Sequence, residues 1–182
     1  SDGKDRLALA ELCDLYEEGG RHELLARTLE QLAATVTDPA HAATLLWRLG
    51  ELACDELGDQ VRAVSALERA VALAPDHIPA RRRLGALYQR AGLHRELGAL
   101  LAAEAARSSD PDTSAACHLR IAELHEGPLG DTEQAIAHYR EALAAVPAFR
   151  PALRALGRLC GKTGRFAALA AAYQQELEVV SD

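Results

Sequence analysis

Hydrophobic residues recur along the chain with the three- and four-residue spacing that places them on one face of a helix. No segment is a candidate strand, so the pattern predicts an all-α protein of about ten antiparallel helices. The segments 43–54 and 61–73 show the spacing clearly. Their apolar positions include Leu45, Leu46, Leu49, Leu52 and Ala53 in the first segment, and Val61, Val64, Leu67, Val71 and Leu73 in the second.

The predicted helices belong to an internal repeat with a period of 72 residues. At this offset Gly58 coincides with Gly130, and Gly20 coincides with Gly92 and Gly164. Each period divides into two halves of about 35 residues, and each half is read as a helix pair that must stack on its neighbours to bury its apolar face. The predicted repeats are about 4–37, 38–75, 76–109, 110–147 and 148–182.

The period is cut after two and a half turns, so we expect residues 1–182 to be one solenoid and a fragment of a longer array. Residues typical of helix ends support the division into pairs. Asp38 and Asp110 each precede a proline and are expected to cap the helix that follows. Further expected features are caps at Asp59 and Asp131, positive-φ glycines at Gly58 and Gly130, helix stops at Pro75 and Pro147, and small residues at close helix contacts, namely Gly50, Gly85, Ala122, Gly157, Ala63, Ala70, Ala135 and Ala142.

This pattern resembles the tetratricopeptide repeat, a helix–turn–helix unit of about 34 residues with small residues at fixed places and a closing proline. The resemblance implies a right-handed α-solenoid whose first helices line a concave groove. It also implies a non-catalytic adaptor or scaffold that binds a protein or peptide there. The unit that fits best carries Ile121-Ala122, Gly130-Asp131, Ala135-Ile136, Tyr139, Ala142-Leu143 and Pro147.

Candidate groove residues come from the stripe beside the apolar face of each first helix, at positions i, i+4 and i+7. Trp47, the sole tryptophan, is either an interface residue or packs between helices. The charged residues either match a ligand of alternating charge, or belong to solvated helix faces, or form ion pairs between repeats, such as Glu51 with Arg82. The candidates are Asp14, Glu17, Trp47, Glu51, Arg82, Gln89, Arg90, Glu123, Glu126, Arg154 and Arg158.

The alternative to groove binding is a structural element that associates end to end. The last predicted helix carries an apolar face that no polar helix follows, whereas solenoids need polar terminal caps. Tyr173, Leu177 and Val180 are the candidate residues for such self-association, and a homo-oligomer would follow. The basic run at 81–83 is a weaker candidate for anion binding, because adjacent residues of a helix point in different directions.

Charge, composition and the lack of known motifs narrow the remaining classes of function. The net charge of −7 argues against a nucleic-acid partner, and no apolar run approaches the length of a membrane span. His118 and His125 lie two helical turns apart, too far to share one metal. No nucleotide-binding or hydrolase motif occurs, so neither enzyme activity nor a cofactor is expected. Widely spaced cysteines without CxxC indicate reduced thiols in a cytoplasmic protein, and high Ala and Arg favour a bacterial source.

Overall fold

The computed structural model describes residues 2–164, with side chains from residue 5 onward. Within that range every regular element is an α-helix and no strand occurs, which confirms the predicted all-α fold. The tenth predicted helix falls outside the described residues. The helices are α1 (Asp2–Glu18), α2 (His22–Thr35), α3 (Pro39–Asp55), α4 (Gln60–Leu73), α5 (Ile78–Ala91), α6 (His94–Arg107), α7 (Pro111–Glu126), α8 (Thr132–Ala145) and α9 (Arg150–Thr163).

The chain forms two compact units, an N-terminal unit of residues 1–91 and a C-terminal unit of residues 92–182. In the N-terminal unit each helix from α1 to α4 packs on the next one in sequence, and α3 also contacts α5. In the C-terminal unit α6, α7, α8 and α9 pack in the same successive manner. The pairs α3–α4 and α7–α8 make the most extensive contacts of their units.

The 72-residue period reappears in the helix boundaries. His22–Thr35 and His94–Arg107 are 72 residues apart at both ends, and so are Gln60–Leu73 and Thr132–Ala145. The block α2–α5 therefore corresponds to the block α6–α9, and each block begins with the second helix of a predicted pair. The first helix, α1, corresponds in the 72-residue pattern to α5 and α9, each of which is the last helix of its block.

Aspartates cap the helices where the sequence predicted them. The Asp59 carboxylate accepts the backbone N–H of Arg62 at 3.0 Å, and that of Asp131 accepts the N–H of Gln134 at 3.1 Å. Asp38 and Asp110 cap α3 and α7 in the same way, and proline follows both. Glycines with φ between 61° and 70° precede the second helices or follow α9, at Gly20, Gly58, Gly92, Gly130 and Gly164.

Small residues are buried where the second helices pack on their neighbours. In α4 and α8 the alanines at 63, 70, 135 and 142 are fully buried, as the sequence predicted. Two predicted apolar positions of α4 are wrong, because Val61 is 82% exposed and Leu73 is 46% exposed. Val61 lies in the first turn of α4 on its outer side, where the equivalent residue of α8 is Glu133.

Candidate interaction surface

The first helices of the N-terminal unit carry most of the predicted groove residues. Asp14 of α1 and Arg82 of α5 are exposed, and so are Gln89 and Arg90 at the end of α5. Trp47 and Glu51 of α3 are half-buried, and Glu17 is exposed but takes part in an ion pair. Whether Trp47, Glu17 and Glu51 are available to a partner therefore depends on the contacts that they make within the unit.

Trp47 lies against His77 in the turn between α4 and α5, with ring centroids 5.8 Å apart and planes tilted by 46°. The His77 ring is itself held on both sides. The backbone N–H of Ala80 donates to Nδ1 at 3.1 Å, which leaves Nε2 to donate to the Thr44 hydroxyl oxygen at 3.5 Å. Trp47 is thus supported by a fixed imidazole and is half-buried.

Glu17 and Glu51 join neighbouring first helices through arginines. Arg48 of α3 pairs with Glu17 of α1. Arg83 of α5 pairs with Glu51 at 2.9 Å and also with Asp55. Burial opposes ionisation of Arg83, but the carboxylates of Glu51 and Asp55 outweigh it and raise the pKa of its guanidinium. These two predicted groove residues therefore act as helix-to-helix contacts.

The predicted partner of Glu51 was wrong by one residue. Arg83, not Arg82, forms the ion pair, because successive residues of a helix point about 100° apart and position 83 is the one that faces α3. Arg81 turns elsewhere and donates to the carbonyl oxygen of Pro75 at 2.9 Å. The three arginines of the run thus point in different directions and do not form one concentrated cationic site.

In the C-terminal unit, Glu123 and Arg154 are exposed, whereas Glu126 and Arg158 form a network. Arg158 of α9 donates to the Glu126 carboxylate at 2.5 and 3.0 Å, and the buried Tyr139 hydroxyl donates to it at 2.7 Å. Burial opposes ionisation of Glu126, but these hydrogen bonds outweigh it and lower the pKa of its carboxyl. Burial and the same contact raise the pKa of Tyr139.

A histidine cluster joins α7 to α8, and the sequence did not reveal it. The Nδ1 atoms of His118 and His138 are 3.2 Å apart, and the His138 ring also stacks on His125 with centroids 5.6 Å apart. His138 is on another helix, so only the register between α7 and α8 brings the three together. No group of three or more His, Cys, Asp or Glu in the described part of the chain could hold a metal ion.

Other predictions concern residues outside this surface. Cys13, Cys54, Cys117 and Cys160 are free thiols in the structure, and all except the half-buried Cys54 are buried. Tyr173, Leu177 and Val180 lie outside the described residues. None of the helices described between residues 2 and 164 has the length and apolar character needed to span a membrane.

Comparison with known proteins points to one family. The tetratricopeptide-repeat family model matches residues 44–77 and 116–148. Each segment begins five residues into the first helix of its pair, α3 or α7, and runs through the second helix, α4 or α8, into the turn that follows. Comparison with curated protein sequences gives no match.

Solved structures of MamA have a similar fold. The MamA RS-1 ArsTM double mutant is 19% identical and covers 100% of this chain and 97% of its own, with a TM-score of 0.50. A crystal structure of MamA protein is 18% identical and covers 97% and 92% of the two chains, with a TM-score of 0.51. At this identity the likeness concerns the fold alone. The resemblance to the tetratricopeptide-repeat family is therefore confirmed, and the chain contains tetratricopeptide repeats at its two matched segments.

Proposed function

We propose that the chain is a non-catalytic interaction scaffold that binds a protein or peptide through the first-helix surface of its N-terminal unit. This surface comprises the predicted groove residues of α1, α3 and α5 other than Glu17 and Glu51, which join neighbouring helices, namely Asp14, Trp47, Arg82, Gln89 and Arg90. The tetratricopeptide-repeat fold is typical of such scaffolds, although fold alone does not specify function.

The observation that carries the proposal is the half-exposed Trp47. Tryptophan is among the residues that contribute most to protein–protein affinity, because a partner can bury a large aromatic area. His77 holds one side of the ring, and His77 is fixed by Ala80 and Thr44. A side chain that is already held loses little conformational freedom when a partner binds, so more of its contact energy is available for affinity.

Charge on the same surface suggests how a partner is selected. Arg48 and Arg83 neutralise Glu17 and Glu51, whereas Asp14 and Arg82 are exposed on different first helices. A partner with both signs of charge would match this arrangement. Electrostatic complementarity of this kind contributes mainly to specificity and to the rate of encounter.

The test begins with affinity capture from an extract of the source organism, using the wild-type chain and the Trp47→Ala variant as bait. A captured protein is then purified and titrated into the wild type and the Trp47→Ala variant by isothermal calorimetry, which needs no tryptophan in the variant. Because Trp47 is the chain's sole tryptophan, its fluorescence reports binding at this surface when the partner or peptide lacks tryptophan.

We expect a shift to shorter emission wavelength on binding and a loss of affinity of about tenfold or more in Trp47→Ala. The matched control is Arg27→Ala, an exposed residue of the second helix α2, which should bind normally. Equal affinity of wild type and Trp47→Ala, with both folded by circular dichroism, would contradict the proposal.

A further inference from the structure

Three helices occupy the same place in the 72-residue pattern, namely α1, α5 and α9. Each carries one alanine and two leucines at positions i, i+4 and i+7, which is a single stripe along the helix. The stripe consists of Ala8, Leu12 and Leu15 in α1, of Ala80, Leu84 and Leu87 in α5, and of Ala152, Leu156 and Leu159 in α9.

The same stripe is buried in two of these helices and exposed in the third. In α5, Leu84 is 2% exposed and Leu87 is 4% exposed, and the equivalent leucines of α9 are 0% and 5% exposed. In α1, Leu12 is 36% exposed and Leu15 is 61% exposed. The alanine follows the same rule, since it is fully buried in α5 and α9 but exposed in α1.

The helix that precedes each buried stripe is of one type. The helix α4 packs on α5, and α8 packs on α9. Each ends a few residues upstream of its partner, and each carries fully buried alanines at equivalent positions, Ala63 and Ala70 in α4 and Ala135 and Ala142 in α8. Within the described residues no helix of this type packs on α1, whose recorded neighbour in the N-terminal unit is α2.

We propose that the face of α1 formed by Ala8, Leu12 and Leu15 is the docking site of a helix of the α4 type, which carries small buried alanines. We assign that helix to a helix pair that precedes α1 in the same polypeptide. In both observed cases the covering helix comes from the same chain and lies immediately upstream. This inference concerns a different surface from the Trp47 surface and stands independently of the proposed function.

A second copy of the chain fits this face less well. The α4 and α8 helices of a second copy already bury their alanines. Pairing one of them with α1 of another molecule would therefore require it to leave its own unit. A separate molecule would also present its helix to Leu12 and Leu15 at a lower effective concentration than an upstream segment of the same polypeptide does.

The first experiment compares equivalent leucines in the chain as it stands. We expect Leu15→Glu to change the melting temperature by less than about 2 °C, because the side chain is already in water. We expect Leu87→Glu to lower it by about 10 °C or more, or to prevent folding, because it buries a charge. Equal loss of stability in the two variants would overturn the inference, since the α1 face would then already be covered.

The second experiment supplies the missing helix. A chimera places a copy of residues 38–77 in front of residue 6, which keeps the 72-residue register because position 6 corresponds to Ile78. We expect hydrogen exchange of the segment 6–18 to slow by about tenfold or more. Leu15→Glu should abolish this slowing, and Leu15→Ala should reduce it in case the glutamate variant does not fold. Unchanged exchange in the chimera would overturn the inference.

Light scattering of the 182-residue chain tests the competing occupant. A single species near 19.5 kDa over the concentration series supports an occupant from the same polypeptide. A dimer that Leu15→Glu converts to a monomer would overturn that assignment and identify a second copy as the occupant.

Discussion

Gly50 of α3 lies directly against Leu67 of α4. A Cβ atom at position 50 would come within 2.6 Å of Leu67 Cγ and 2.9 Å of Leu67 Cδ2, closer than any ordinary contact. Leu67 is fully buried, so it has little room to move away. The glycine weakens the helix locally, yet its missing side chain is what lets the two helices of this pair approach.

Gly50→Ala should therefore destabilise the chain by about 1–3 kcal/mol, as overpacking of a core does. The matched control is Gly98→Ala in α6, where a Cβ would meet no atom within 4 Å. That change should stabilise by about 0.5–1 kcal/mol, the helix-propensity difference alone. Urea unfolding of the two variants and the wild type measures both values, and effects of the same sign would contradict the packing explanation.

Asp59→Ala should destabilise the chain by about 1 kcal/mol, because it leaves the N–H of Arg62 at the start of α4 without its acceptor. Asp59→Asn keeps an acceptor oxygen and should lose only a few tenths. Thermal unfolding of both variants separates the cap from a general effect of charge. A loss in the asparagine variant as large as in the alanine variant would exclude the cap as the cause.

Tyr139→Phe should destabilise the C-terminal unit by about 1–2 kcal/mol, because it removes the buried hydroxyl that donates to Glu126. A double-mutant cycle with Arg158→Ala tests whether the network acts as one. We expect a non-additive combined loss, since both groups bind the same carboxylate. Strict additivity would mean that Tyr139 and Arg158 stabilise the unit separately.

The stability of the chain should fall as the pH is lowered from 8 to 5.5, in part through His138. Burial lowers the pKa of His138, and His118 and His125 on α7 lower it further, while Glu141 opposes them. Since the unfolded chain takes up this proton near pH 6.5 and the folded chain only at lower pH, protonation favours unfolding below about pH 6.5. Above that pH the contribution to stability is fully present.

His138→Ala should reduce this dependence on pH, and the equivalent position of α4 is the buried Ala66, which shows that the site accepts alanine. His41→Gln on the exposed side of α3 is the control and should leave the dependence as in wild type. Urea unfolding at pH 8 and pH 5.5 measures both slopes. An unaltered slope in His138→Ala would assign the effect to other groups.

Self-association through the end of the chain stays a prediction from the sequence. If Tyr173, Leu177 and Val180 form an interface, the mass measured by light scattering should rise with concentration, and Leu177→Glu should reverse the rise. Hydrophobic burial between the apolar faces would supply the attraction. A constant mass near 19.5 kDa would exclude this mode, and the Leu15→Glu variant distinguishes it from pairing at α1.

Features that depend on one helix or one turn could be predicted from the sequence. The cap at Asp59, the positive φ of Gly58 and the need for a small residue at position 50 are each set by local geometry or by the residue facing one side of a helix. The 72-residue period then indicates how these local features recur.

Features that depend on the rotation of one helix against another could not be predicted from the sequence. The choice of Arg83 over Arg82 as the partner of Glu51 reflects a single step of about 100° around α5. The stacking of His138 on His125 requires the register between α7 and α8. A periodic pattern fixes which face of a helix is apolar. Polar residues at the edge of that face point toward a neighbouring helix or toward water depending on small changes in helix rotation and register.

The second helices alternate between a large and a small buried residue at their fourth position. Leu25 and Leu97 stand there in α2 and α6, whereas Ala63 and Ala135 stand there in α4 and α8. Removal of one internal helix pair would break this alternation. Two second helices with the same residue type at the fourth position, for example the leucine of α2 and that of α6, would then follow one another. We therefore expect insertions and deletions inside the array to keep the packing when they span whole steps of 72 residues, so homologues should differ in internal length by that interval.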